Sequence, residues 1–198
     1  MAELIWSWEL WDTNAIEVER HGHLLCFAYK WLGSKKTYVR GLNDFKGYKR
    51  RSGDDKALCK ELFCLLNEAE AVVCHNGNSF DLKKINYRFL VNGIKYPSPY
   101  VKIDTKLEVK KIAKFPSHKL DDLGNELKFG RKLKHEGWSL WKGCYNGDKR
   151  SWRKMKAYNK VDVELLEKLY LKLLPWIKRP TTSNLTNKTR KLLNYGSI

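Results

Sequence analysis

The chain reads as an α/β protein: a mixed sheet with an antiparallel hairpin on one side and helices flanking it. Three observations carry that reading. Three early segments are apolar and strand-like. Later segments repeat their apolar residues every three or four positions and alternate with short apolar runs. Gly, Pro and Asp fall between them, where turns and helix starts need them. The length of 198 residues suits one domain with a full hydrophobic core. We place it at residues 1–178, followed by a polar, basic tail at 179–198.

In residues 3–11, Leu4, Trp6, Trp8 and Leu10 point one way while Ile5, Ser7 and Glu9 point the other, a strand pattern. Leu24–Leu32 is a second strand, apolar enough to be central. Gly33-Ser34 turns it into a hairpin partner at Lys36–Arg40, and polar residues 41–54 form a loop. Asp54 or Asp55 then caps a helix to about Glu68, with Leu58, Leu62, Leu65 or Leu66, and Ala69 on one face. Ala71–Cys74 is a short buried strand, and Asp81 to about Val91 is a helix stopped by Asn92-Gly93. After a Pro97/Pro99 loop, Val101–Ile103 is a brief strand, and Asp104-Thr105 cap a helix to about Ala113. Ser117 opens another helix, with Leu120, Leu123 and Leu127 inward. Residues 128–150 read as irregular. A long helix covers roughly 150–173, its face marked by Val161, Leu165, Leu169 and Leu173, and Pro175 ends it.

Composition narrows the partners. Lys and Arg number 39 against 22 Asp and Glu, a formal charge of +17. Such an excess favours a polyanion, since each neutralised phosphate releases counterions. Eight Trp, ten Tyr and seven Phe interleave with the basic residues, which fits nucleic acid, although many of these rings belong in a core. No stretch of 18 apolar residues and no signal peptide is visible, so we expect no membrane partner and a cytoplasmic location. The five cysteines are odd in number and lack a Cys-x-x-Cys pair, which suits reduced thiols in that compartment.

Two carboxylates stand in labelled settings: Asp81 in His75-Asn-Gly-Asn-Ser-Phe-Asp81, and Asp162 in Tyr158-Asn-Lys-Val-Asp162. Each has a plain alternative. Asp81 could complement a helix dipole, and Asp162 could be a solvated helix residue paired with a lysine. Tyr158 lies one turn before Asp162 on the same face, where a tyrosine also packs well. Hydrolysis of a phosphodiester by two divalent ions, roughly 4 Å apart, calls for hard oxygen ligands gathered from several elements.

Val73–Asp81 resembles the second motif of the DEDD superfamily of 3′–5′ exonucleases, and Tyr158–Asp162 resembles its third motif in the tyrosine-type form. The frame is similar to a phage-type branch of RNase H-like exonucleases over roughly residues 4–178: Leu24–Leu32, Pro97–Tyr100, Ile103–Thr105, Ser117–Asp121, Gly137–Trp141 and Leu165–Trp176. The resemblance implies an RNase H-like fold and 3′–5′ removal of nucleotides from single-stranded DNA, with two Mg²⁺ or Mn²⁺ ions. It makes Asp81 and Asp162 metal ligands, gives Tyr158 the attacking water to orient, and puts His75 and Asn76 beside the terminal nucleotide. Replication proteins are possible partners, and the host cytoplasm is the location if a phage encodes the chain. His75 could equally be a satisfied strand-end residue. Asp104 reads as a helix cap. Trp138 and Trp141 could stack bases, but packing against the last helix is the plainer reading.

The family's first motif, Asp-x-Glu on the first strand, is not in place. Ser7-Trp8-Glu9 supplies the glutamate and a serine where the aspartate belongs. Either Glu9 is the remnant of a degraded site, or the motif lies upstream of Met1; the second fits better the Trp-bearing segment, which follows the catalytic strand in the relatives. Weak or absent activity of the isolated chain is expected. Two other readings stay open: a non-catalytic nucleic-acid-binding protein on the same fold, and a structure-specific endonuclease or RNase.

Overall fold

The structure, a computed structural model, describes residues 21–177. Lys149–Leu173 form its longest helix, α6, about 37 Å at the usual rise per residue. Asp148 starts it by accepting the Ser151 N–H at 2.8 Å and the Ser151 hydroxyl at 2.6 Å. Met155, Leu165, Leu169 and Leu173 are buried along one stripe. The first half packs with β1 (Cys26–Tyr29), β2 (Tyr38–Gly41), α1 (Lys56–Glu68), α2 (Asp81–Val91) and α5 (Trp138–Tyr145), around Leu58, Phe89, Leu140 and Trp152. The second half packs with α3 (Thr105–Ile112) and α4 (Leu120–Glu126), around Val109, Leu123 and Leu169. One helix therefore joins two apolar cores.

β1 and β2 pair antiparallel, with Cys26 opposite Gly41 and Tyr29 stacked on Tyr38 at 5.1 Å between ring centres. β3 (Ala71–Cys74) and β4 (Val101–Asp104) pair parallel, which sets Cys74 opposite Asp104. Among the described residues the sheet consists of these two pairs, with no strand bonding one to the other. The strand expected at residues 3–11 lies outside the described residues, as does the basic tail.

Most expected elements appear within a residue or two of their places. The stretch 128–150 is a correction: it contains α5, entered through Gly137 in the left-handed region at φ 61°. Leu140 and Cys144, one turn apart, bury its inner face, a short pattern obscured by glycines at 137, 143 and 147. The helix expected from Ser117 begins at Leu120 instead. Ser117 folds back, its hydroxyl accepting the Lys119 N–H at 3.3 Å and donating to Asp122 at 2.5 Å.

Asp55 differs from a simple cap. Asp54 accepts the Lys56 N–H at 3.1 Å, while the Asp55 side chain, 1% exposed, turns inward. It takes both arms of the Arg88 guanidinium at 2.8 Å, the Leu24 N–H at 2.7 Å and the Asn92 amide at 2.8 Å. Burial alone would raise its carboxyl, but these donors outweigh it and hold it below the usual carboxylate range. Arg88 also donates to the Gly22 carbonyl at 3.1 Å, so one ion pair ties the approach to β1 to α1 and α2.

Arg88→Met leaves a buried carboxylate without its cation and is expected to cost about 3–5 kcal/mol in urea unfolding. Arg40→Ala, which breaks the half-exposed pair with Glu61, is expected to cost under about 1 kcal/mol. Because Asp55 is depressed in the folded state, its contribution is present above the unfolded value of about 3.9 and is lost as pH falls through the lower folded value. The stability gap between Arg88→Met and wild type should therefore be widest above about pH 3.9 and narrow as pH falls below it, read by urea unfolding across pH.

Candidate functional site

The site begins where β3 ends. Gly77 lies so close to Cys74 that a Cβ there would sit 2.5 Å from the Cys74 Cβ and Sγ, so the strand-to-helix turn admits only glycine. Asn76 adopts φ 65°, a conformation asparagine tolerates better than most residues. The Asp104 carboxylate, buried at the end of β4, collects the N–H groups of Asn76 at 2.8 Å, Asn78 at 3.1 Å and Lys106 at 3.1 Å. Asp104 thus caps α3, as expected, and also clamps the 75–80 turn. The parallel register of β3 with β4 makes this possible.

That turn delivers Asp81 as the first residue of α2, with its carboxylate open to solvent on one side. Crowding by neighbouring atoms, with Asp104 adding to it, holds the carboxyl above its ordinary range; its own backbone N–H and the charge of Lys132 pull the other way. Tyr158 and Asp162 approach from α6, on the stripe between buried Met155 and Leu165, where a helix with one continuous core would carry apolar residues. Lys132 reaches in from the loop after α4. Its backbone N–H is held by Asp121 at 2.7 Å, and its ammonium donates to Asp162 Oδ2 at 2.7 Å and to the Tyr158 hydroxyl at 3.4 Å. Burial opposes that charge, yet Asp162 outweighs it, and Lys132 is held above the usual lysine range. The Tyr158 phenol is pushed up by burial and by Asp162, with Lys132 moderating the rise. His135 lies edge-on to the Tyr158 ring at 4.7 Å and to Trp141 at 4.9 Å.

The structure therefore brings Asp81, Asp162 and Tyr158 into the field of one lysine. His75 and Asn76 border them but are engaged in the frame. The His75 ring contacts the Thr105 hydroxyl and the His118 carbonyl, each at 2.9 Å, and burial keeps it below the ordinary imidazole range. The Asn76 side chain accepts from Lys106 Nζ at 3.1 Å. Glu9 and Ser7 lie outside the described residues. Sequence reasoning missed Lys132, because Arg131-Lys132-Leu133-Lys134 looks like any solvated basic run, and it named Asp121 only within the Ser117–Asp121 segment of the frame. The polar break in the α6 stripe was the available signal for a site there.

The described residues form a helix-flanked α/β core with acidic side chains at the head of α2 and on α6. The family described as RNase_H superfamily matches residues 18–174, and the chain belongs to that superfamily. No curated protein matches it. Membership suggests a nuclease-type function acting on nucleic acid.

Nucleases of this superfamily generally use divalent metals, and the donor set here fits such an ion in part. Asp162 Oδ1 is buried and has no hydrogen-bond partner, an arrangement costing about 1–3 kcal/mol unless something satisfies it. Asp81 is raised by crowding, which a cation would relieve. Among the described residues, however, no group of three His, Cys, Asp or Glu gathers around one point.

Lys132→Met removes the cation that moderates both neighbours. Asp81 and Tyr158 should each titrate at higher pH than in wild type, read by carbon NMR of labelled aspartate and tyrosine side chains. Unchanged or lower values would contradict the placement of Lys132 between them.

Proposed function

We propose that the chain is a metal-dependent nuclease that removes nucleotides from the 3′ ends of single-stranded DNA. The observation that carries this is the partnerless, buried Asp162 oxygen, one helical turn from Tyr158 and under the same lysine charge as Asp81. Asp81 and Asp162 would hold Mg²⁺ or Mn²⁺, which supplies an activated water and neutralises charge at the phosphodiester. The remaining roles belong to side chains. Tyr158 stays a protonated phenol at neutral pH, its hydroxyl held between the Lys132 ammonium and the Asp162 carboxylate, and from there it would direct the attacking water. Lys132 fixes one oxygen of Asp162 and so points the other inward. Neutral His75 and the Asn76 turn form the wall beside Asp81, where a terminal nucleotide would rest.

A second reading has its own support. With an ammonium seated on Asp162, and no third carboxylate gathered with Asp81 and Asp162 into a metal-holding group among the described residues, the fold could bind nucleic acid and leave it intact.

Asp81→Ala or Asp162→Ala is expected to lower divalent-dependent nucleotide release about 100-fold or more. Binding of single-stranded DNA in EDTA should stay close to wild type. Unchanged hydrolysis in either variant overturns the assignment. Binding by wild type with no release under Mg²⁺ or Mn²⁺ establishes the second reading instead.

A further inference from the structure

α5 presents two tryptophans to different surroundings. Trp141 is half-buried against the first core, as the sequence led us to expect, with His135 edge-on to it. Trp138 behaves otherwise: it is the first residue of α5 and 56% exposed, although Leu140 and Cys144 of the same helix are buried. The Lys142 ammonium lies over the Trp138 ring at 4.9 Å from its centre. An exposed indole beside a cation is a common surface feature in isolation. Here its position gives it meaning. Three residues before it, His135 touches the Tyr158 ring, and three residues before that, Lys132 bonds Asp162. The segment 132–142 thus leads from the candidate catalytic carboxylate through His135, and past Glu136 in its ion pair with Lys154, to Trp138 and Lys142. Trp176 is more exposed still, at 68%, but lies beyond the far end of α6 and has no such continuity.

We propose that Trp138 and Lys142 form a nucleotide subsite for single-stranded nucleic acid. The indole stacks on an unpaired base, and the Lys142 ammonium meets the adjoining phosphate. This rests on the nuclease reading for its direction, since the strand would run from this subsite toward Asp162. Stacking on an indole tolerates any base, and its loss commonly weakens binding by one to two orders of magnitude. The lysine adds a contact that salt screens. The same chemistry serves DNA and RNA, so both belong in the test.

The full chain is titrated against short oligo-dT and oligo-rU strands in EDTA, with matched strands lacking their bases, and anisotropy is recorded. Trp138→Ala is expected to weaken binding of base-bearing strands roughly tenfold and of abasic strands hardly at all. Trp138→Phe should stay within about threefold of wild type. Lys142→Ala should lower the salt slope by about one phosphate contact on both kinds of strand. Equal affinity of Trp138→Ala and wild type for base-bearing strands overturns the subsite. So does an equal loss on abasic strands, the signature of a structural defect. If Trp138→Ala binds normally while Asp81→Ala still abolishes hydrolysis, the subsite fails and the nuclease stands. If wild type neither binds nor cleaves either strand, both fail.

Discussion

The buried carboxylate of Asp104 is the constraint on which the site depends. It accepts three backbone N–H groups from two segments that meet only because β3 and β4 run parallel and in register. A turn holding a left-handed Asn76 and a glycine packed against Cys74 would not persist without such an anchor, because its N–H groups would be left buried and unpaired. Asp81 is the next helix's first residue, so its position follows from the clamp.

The second requirement is a rigid α6. A single helix joining two apolar cores cannot shift along its length without disturbing both, and this fixes Tyr158 and Asp162 at the seam. Lys132 completes the arrangement from a loop that would otherwise wander; Asp121 holds its backbone and Asp162 its ammonium. The consequence is an electrostatic balance. One lysine offsets part of the negative charge of Asp81 and Asp162 and leaves one Asp162 oxygen without a partner. Such an oxygen suits a cation.

Much of this was legible beforehand. The α2 helix, with Asp81 at its head, follows from the apolar run Ala71–Cys74 and the polar turn after it, and the α6 stripe follows from leucine spacing. Asp104 was readable as a cap because a carboxylate before a helix has a local partner. Its second task was not, because that depends on a pairing between strands far apart in sequence. Lys132 was hidden for a similar reason: a lysine among lysines acquires meaning only from the carboxylate it reaches. α5 was obscured by its glycines, and the inward turn of Asp55 by its position where a cap belongs. Among the described residues, the arrangement of the strands as two pairs concerns hydrogen bonds that composition does not encode.

The most direct measurement is Mn²⁺ titration followed by electron paramagnetic resonance, comparing wild type with Asp162→Ala and Asp81→Ala. The account predicts Mn²⁺ binding by wild type that is lost or strongly weakened in either variant. Binding that survives both substitutions unchanged, or wild type that binds no Mn²⁺, would contradict a shared cation site built from these two carboxylates.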